Sequence, residues 1–451
     1  MTAERQGGTV KTAAQKERAV LVGVARRGAS DSWPVEESLA ELALLAQTAG
    51  VEVVGEFTQA LDRPHVAYFI RSGKVEEIKE AKAGLAFDVV IFDDDLSPGQ
   101  LRYLERELGT RVLDRRALIL DIFAQHARTR EGAMQVELAQ YEYLMPRLTR
   151  AWTHLSRQTR GGVGLRGPGE TQLEIDRRQM RERVTQLRRE LESVRRHRAL
   201  YRRRRQRAGI PIVAIVGYTN AGKSTLLNAL SGAHVVAADQ LFATLDPTTR
   251  KVRLPDGGEA LFTDTVGFVQ KLPADLVAAF RATLEEINDA DLIVHVVDIT
   301  HSNVERQVAV VDATLKSLGA GDTPIIVALN KVDLLPEPTA VQASLGEQER
   351  VVAVSALAGM GLDKLLRAIA DVFGEQGEPI RALLPYDQAG LLATVFRSGT
   401  VHSQEHLAKG TLVTATVPMA LLPQLHPYLL DEVEPDTVEV GDQDTADGQL
   451  G

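Results

Sequence analysis

No cysteine occurs in the chain's 451 residues. Disulfides and zinc sites built on thiolates are therefore excluded, and the composition suits a reducing compartment. No apolar run approaches the roughly 18 residues needed to cross a bilayer. Met1 to Ala19 is polar and mixed in charge, without the apolar core of a secretion signal. Histidines are scattered singly, as at His126, His154 and His197, so no histidine-built metal centre is expected. Aromatic residues make up only 5%, with two tryptophans. Trp152, Met134 and Met145 fall on an apolar helical seam, where packing explains them. These absences lead to the expectation of a soluble, cytoplasmic protein.

What remains is ordinary globular composition, 44% hydrophobic and 25% charged, over a length that suits about three domains. Net charge is −9, but it is unevenly spread: Asp176 to Ala208 holds fourteen arginines against four acids, while residues 431–451 hold eight acids and no lysine or arginine. A strongly basic segment in an acidic chain points to a polyanionic partner more than the total does.

Residues 1–18 read as a flexible N-terminus. From 19 to 130, strand-like runs at Ala19–Val24, Val51–Phe57 and Val89–Phe92 alternate with helical patterns at Val35–Thr48, Lys74–Lys82 and Pro98–Leu108. That alternation predicts an α/β unit with a mostly parallel sheet. From 131 to 208, apolar residues recur at Met134, Leu138, Tyr141, Met145, Leu148, Trp152 and Leu155. They recur again at Leu173, Met180, Val184, Leu187, Leu191, Val194 and Tyr201. Two such seams predict an antiparallel helical hairpin, with a break near Pro146. Its tip, 159–169, carries five glycines and a proline and cannot be helical. Residues 209–376 alternate again, with buried-strand candidates Ile212–Val216, Ala260–Thr263, Leu292–Val297, Ile325–Leu329 and Val351–Val354. Residues 377–430 read as a small α+β piece with strands at Ala393–Arg397 and Thr411–Thr416. The acidic tail 431–451 is expected to be disordered.

The third block carries the chemistry. Gly217-Tyr218-Thr219-Asn220-Ala221-Gly222-Lys223-Ser224 follows a β-branched strand and has P-loop spacing. Its backbone N–H groups and the next helix's N-terminus form an anion nest, Lys223 adds charge at the β- and γ-phosphates, and Ser224 offers a hydroxyl to Mg²⁺. Asp264-Thr265-Val266-Gly267 ends the next apolar strand. There Asp264 would hold Mg²⁺ through water, and Gly267 would bring its amide to the γ-phosphate. Between them lies Phe242-Ala243-Thr244-Leu245-Asp246, followed by Pro247-Thr248-Thr249. One threonine of this stretch should sense the γ-phosphate. Spacing does not choose among the three, although Thr248 and Thr249 read as turn residues. Asn330-Lys331-Val332-Asp333 names the base. The Asp333 carboxylate can accept from guanine N1–H and the 2-amino group, whereas adenine would leave it charged and unpaired. Ser355-Ala356-Leu357, after a strand, would supply a backbone N–H to guanine O6. The chain is therefore expected to bind GTP with Mg²⁺.

Phe268 stands where Ras-like GTPases place a water-orienting glutamine, and a phenyl ring cannot hydrogen-bond water. Slow intrinsic hydrolysis, raised by a macromolecular partner, follows. Arg202, Arg203, Arg204 and Arg205 on the basic helix, with Arg160 and Arg166 at the hairpin tip, are the candidate RNA contacts. For the helix, pairing of its arginines with Glu182, Glu190 and Glu192 competes with that reading.

The chain resembles the HflX family of ribosome-associated GTPases. The resemblance rests on these motifs and on Gly73-Lys74-Val75-Glu76-Glu77-Ile78, Asp114-Arg115-Arg116-Ala117-Leu118-Ile119-Leu120-Asp121-Ile122-Phe123, Ala127-Arg128-Thr129-Arg130-Glu131-Gly132, Gln135-Val136-Glu137-Leu138-Ala139-Gln140 and Arg166-Gly167-Pro168-Gly169-Glu170-Thr171. It implies a GTPase domain behind an α/β domain with a helical hairpin, and ahead of a small C-terminal domain. It also implies binding of a monomer to the large (50S) ribosomal subunit, with the hairpin loop directed at the peptidyl-transferase region, and separation of stalled or idle ribosomes under stress. By motif position Thr244 becomes the switch threonine on Mg²⁺, alongside Ser224. Lys223, Thr244 and Gly267 then form the catalytic set. Some members use ATP through the N-terminal domain, yet Arg71-Ser72-Gly73-Lys74 lacks P-loop spacing. Peripheral attachment to a membrane is left open. Alternatives are an RNA-binding scaffold with structural GTP, and a GTPase of RNA modification or ribosome assembly.

Overall fold

The computed structural model describes residues 16–26, 33–148, 172–207, 210–232, 241–242, 244–245, 247–271, 286–337, 350–375, 377–418 and 421–430, less the side chains of 172–173, 198–207 and 375. By chain contacts it forms two compact units. The larger contains 1–201, 212–252 and 261–365; the smaller contains 202–211, 253–260 and 366–451.

In the larger unit, β1 (Arg18–Arg26), β2 (Glu52–Leu61), β3 (Val89–Phe92) and β4 (Arg111–Asp114) form a parallel sheet in the order β2-β1-β3-β4. β3 is buried at every position, so it shows no alternation and reads as a continuous apolar run. The connecting helices are α1 (Val35–Thr48), α2 (Ser72–Leu85) and α3 (Pro98–Leu108), with α4 (Arg115–His126) after β4. Ser97 caps α3: its hydroxyl accepts from Gln100 N–H, and Gln100 accepts in return from Ser97 N–H. The α1 leucines Leu39, Leu42 and Leu45 belong to one core cluster, and Leu101, Leu104 and Leu108 of α3 to another. Neighbouring strands β1 and β3 thus send their connections to opposite faces.

α5 (Arg130–Leu144) ends at the turn Met145–Arg147, where Pro146 removes the next amide donor. α6 (Gln172–Arg207) spans 36 residues. Met134 and Leu138 pack with Val184 and Leu187, while Glu137 takes a bidentate pair of bonds from Arg183 at 2.8 and 2.7 Å. Arg188 bonds Glu142 at 2.8 Å. These arginines pin the two helices to each other rather than pairing along α6. Trp152, Leu155 and the glycine-rich tip lie outside the described residues.

The second sheet has six strands in the order β10-β9-β8-β5-β7-β6. They are β5 (Ile212–Gly217), β6 (Thr248–Arg253), β7 (Glu259–Asp264), β8 (Leu292–Asp298), β9 (Ile325–Asn330) and β10 (Val351–Ala353), with β5 and β8 central. Every residue of β5 and the first six of β8 are buried. Helices α7 (Lys223–Ser231) and α8 (Val304–Leu318) pack on it, and α9 (Leu362–Glu375) follows β10 in the chain. Thr248 and Thr249 begin strand β6 and are not turn residues. This sheet-edge strand is largely exposed and basic, so it carries no alternating apolar pattern to read.

In the smaller unit, β11 (Glu378–Leu384), β12 (Thr400–Leu407) and β13 (Gly410–Val417) form an antiparallel sheet, in the order β11-β13-β12. Ala393–Arg397, expected as a strand, lies within helix α10 (Ala389–Ser398). Leu391, Leu392 and Val395 pack at helical spacing against the sheet's core. A five-residue stretch with three apolar residues is too short for periodicity to separate strand from helix.

Candidate functional site

β5 delivers the chain to Gly217, and α7 begins at Lys223, so the intervening loop wraps one end of the central strand. Gly222 has φ +96°, and a Cβ there would lie 2.3 Å from Asn330 Nδ2. Only glycine fits on both counts. Asn330 Nδ2–H donates to Ala221 O at 2.8 Å, and Asn330 Oδ1 accepts from Ala356 N–H at 3.0 Å. One side chain therefore joins the phosphate loop, the Asn330–Asp333 segment and Ser355–Leu357. Lys223 is buried, with its ammonium donating to Tyr218 O at 2.8 Å. Burial lowers its pKa to about 8, opposed by the Asp264 carboxylate.

That shift has a measurable consequence. Nucleotide phosphates placed beside Lys223 would favour its charged form and should restore a higher pKa. Between pH 8 and the lysine's ordinary 10.5, binding must then take up a proton, so GDP affinity should fall as pH rises through that window. Calorimetry at pH 8.5 should show a binding enthalpy that varies with the buffer's ionisation enthalpy; invariance would mean that Lys223 is already fully charged.

Three oxygen groups meet behind the lysine. Ser224 Oγ lies 2.8 Å from Thr244 Oγ1 and donates to Asp264 Oδ2 at 2.6 Å. Desolvation pushes the Asp264 pKa up, offset first by Lys223. Its Oδ1 is buried with no hydrogen-bond partner, as is Thr219 Oγ1. Two hydroxyls and a carboxylate with one unpartnered oxygen make a hard, oxygen-only donor set that fits Mg²⁺. Ser224 and Thr244 would ligate it and Asp264 would hold it through water, where it would neutralise phosphate charge. Among the three candidate threonines, the structure brings Thr244 to this cluster. Thr249 instead bonds Thr263 across the sheet at 3.0 Å. Ala243 and Asp246 lie outside the described residues, whereas Phe242 and Leu245 are buried.

Thr265 and Val266 continue from β7 inside the core, and Thr265 Oγ1 donates to Ile215 O at 2.8 Å. Gly267 follows, packed so closely that a Cβ would come within 2.9 Å of Lys223 Nζ and of Thr219 Cα. Phe268 is buried in the core that also holds Leu241, Phe242 and Phe123 of α4. Its ring is committed to packing and cannot orient a water.

On the base side, Lys331 adopts φ +66° and its ammonium sits 2.7 Å from Asp298. Asp298 is held in turn by the Thr300 hydroxyl at 2.6 Å, and Lys331 with Thr300 keeps its pKa low despite burial. Asp298 escaped sequence reasoning. The available signal was an aspartate ending the strand beside Asn330, with which it pairs in register. Val332 is buried, and the Asp333 carboxylate makes no hydrogen bond or ion pair within the described residues. The Ser355 and Ala356 amides are engaged, by Met360 O at 2.9 Å and by Asn330. Leu357 is 84% exposed. The loop also includes Asn220, at φ +61°.

Of the candidate RNA contacts, Arg160 and Arg166 lie outside the described residues, as do the side chains of Arg202, Arg203, Arg204 and Arg205. No group of three or more histidine or acidic side chains that could hold a metal occurs among the described residues. No helix among them is long and apolar enough to cross a membrane.

Residues 36–124 match the family described as GTP-binding GTPase N-terminal, and 126–205 the GTP-binding GTPase middle region. Residues 212–331, the segment holding the phosphate loop and Asn330, match the 50S ribosome-binding GTPase family. The chain is 45% identical to the GTPase HflX of Caldanaerobacter subterraneus over 93% of its length and 95% of the relative's. It is 44% identical to the GTPase HflX of Escherichia coli, over 90% of this chain and 94% of that one. With the Lacrimispora saccharolytica protein of the same name the identity is 43%, over 91% and 96%. Likeness of that degree takes in the α/β domain and helical hairpin as well as the nucleotide loops, and the chain belongs to the HflX family of GTPases.

Proposed function

We propose that this GTPase uses its nucleotide state to control attachment to the large ribosomal subunit, and that it separates stalled or idle ribosomes under stress. The observation that carries the reading is convergence: Thr244 and Gly267, from two different segments, meet the phosphate loop at Lys223 and Ser224. So placed, both would contact a γ-phosphate, and Thr244 would be ordered by it and released on hydrolysis. Lys223 would grip the β- and γ-phosphates, Ser224 and Thr244 the Mg²⁺, and Asp333 the guanine. The arginines Arg160, Arg166 and Arg202 to Arg205 would meet rRNA. GTP can shift the equilibrium between free and subunit-bound protein only by its differential affinity for the two.

Phe268 sets the kinetic expectation. With no side chain there to orient the attacking water, free protein should turn over slowly, and subunits should accelerate it on the order of 10²-fold or more. Steady-state GTP hydrolysis with and without 50S subunits, alongside light scattering of 70S ribosomes, tests both halves. Equal turnover in the two conditions, with no loss of scattering, favours the alternative that buried Phe268 also permits: an RNA-binding scaffold in which GTP is structural.

A further inference from the structure

Beyond Gly267 the chain runs directly to the N-terminal sheet. β1 and β3 are adjacent there, with connections leaving to opposite faces, and the crevice past their carboxyl ends is where open α/β sheets take ligands. A cavity of about 820 Å³ lies at this point, lined by Val24, Trp33, Asp93, Asp94 and Arg115. Its rim also carries Gln270 and Lys271, from the turn that follows β7. Part of a ligand crevice is thus occupied by the protein's own chain.

The contacts are specific. The Lys271 ammonium pairs with Asp93 Oδ2, and with Asp94 Oδ1 at 3.0 Å. Asp93 is 1% exposed, and its other oxygen takes a bond from Arg115 at 2.7 Å. The Ser38 hydroxyl, on α1, lies 2.7 Å from Asp93 Oδ2 and 3.2 Å from Gln270 Oε1. Gln270 N–H donates to the Tyr218 hydroxyl at 2.7 Å, and that hydroxyl donates to Glu41 of α1. Lys271 has φ +53°, a left-handed conformation that a lysine keeps only when its surroundings impose it. Nearer the phosphate loop, Thr219 N–H donates to Phe268 O at 2.7 Å and Phe268 N–H to Gly217 O at 3.1 Å. The segment from Gly267 to Lys271 is therefore held at both ends, by the phosphate loop and by the N-terminal domain.

We propose that Gln270 and Lys271 are positioning residues of GTP hydrolysis, docking this segment onto Ser38, Asp93 and Asp94 so that the Gly267 amide is in place before the γ-phosphate arrives. The inference rests on the reading of Gly267 as the γ-phosphate sensor and gives that sensor its anchor. A donor ordered during folding costs nothing to order during binding, whereas a loosened one charges that cost to the ligand that needs it. GTP has a γ-phosphate for Gly267 to meet and GDP has none, so the clamp should favour GTP selectively.

The test uses the full-length protein with Mg²⁺, fluorescent GDP and a fluorescent non-hydrolysable GTP analogue. Lys271→Met should bind the analogue about five- to tenfold more weakly and bind GDP as wild type does. Single-turnover GTP hydrolysis should slow by a similar factor, and Lys271→Arg should restore both. Ser38→Ala should show the same GTP-selective loss, smaller in size, and it decides the matter if the methionine variant fails to fold. An equal change for both nucleotides, no change, or tighter analogue binding overturns the clamp. Failure of the wild type to distinguish GTP from GDP in subunit binding would overturn the ribosome reading, while leaving the nucleotide comparison intact.

Discussion

Asp333→Asn should exchange one base for another. Guanine would present N1–H and a 2-amino group, both donors, to a carboxylate that makes no hydrogen bond or ion pair within the described residues. Asparagine keeps one acceptor but turns an N–H pair toward the guanine amino group, so donor faces donor. Losing two charge-assisted bonds of about 1.5–3 kcal/mol each should weaken GTP binding roughly 10²- to 10⁴-fold. Xanthine carries an oxygen at C2 in place of the amino group and matches the asparagine, so xanthosine triphosphate should become the preferred substrate. Competition of the two triphosphates for a fluorescent guanine nucleotide checks this. A variant that weakens both equally would place Asp333 away from the base. The expectation depends on Asn330 remaining as it is, bridging Ala221 O and Ala356 N–H, because that bond fixes the base-reading segment to the phosphate loop.

Lys223→Ala should be comparably severe but should not depend on the base. The lysine is buried and already deprived of water, with a pKa brought down to about 8, so its charge is poorly compensated until phosphate arrives. Truncating one partner of a buried charge pair costs about 2–5 kcal/mol, which corresponds to roughly 30- to 5,000-fold in GTP affinity. Because Asp264 loses its neighbouring cation as well, Mg²⁺ should no longer strengthen GTP binding to the wild-type degree. Titrating GTP at several Mg²⁺ concentrations separates that effect from simple misfolding, which thermal unfolding would reveal directly.

Residues tied to a fixed backbone pattern were readable in advance. Gly217 to Ser224 needs its glycines for steric reasons, and the structure shows the reason at Gly222, where Asn330 leaves no room for a Cβ. Buried strands such as Ile212–Gly217 and Leu292–Asp298 announce themselves as apolar runs. β6 and the helix at Ala389–Ser398 did not. The first is an exposed edge rich in threonine and arginine, and the second is a short apolar run that fits either period. Side chains whose role depends on a distant partner were equally invisible. Asp298 acquires meaning only because β8 lies beside β9 and brings it to Lys331. Lys271 acquires meaning only because Asp93, 178 residues away, faces it. Arginines on α6 were legible as a basic stripe, but Arg183 and Arg188 prove committed to Glu137 and Glu142 of the neighbouring helix. Composition could not separate those from arginines available to RNA.

The claim that nucleotide state governs the ribosome is most directly tested by co-sedimentation with 50S subunits. Wild type and Lys223→Ala would each be run with GDP and with a non-hydrolysable GTP analogue across a range of salt. Wild type should pellet far more strongly with the analogue than with GDP, and binding should weaken steeply as salt rises, as phosphate contacts require. Lys223→Ala should pellet equally and weakly with both. Wild type and variant pelleting alike, whatever the nucleotide, would contradict the coupling and leave only an RNA-binding protein that happens to hold GTP.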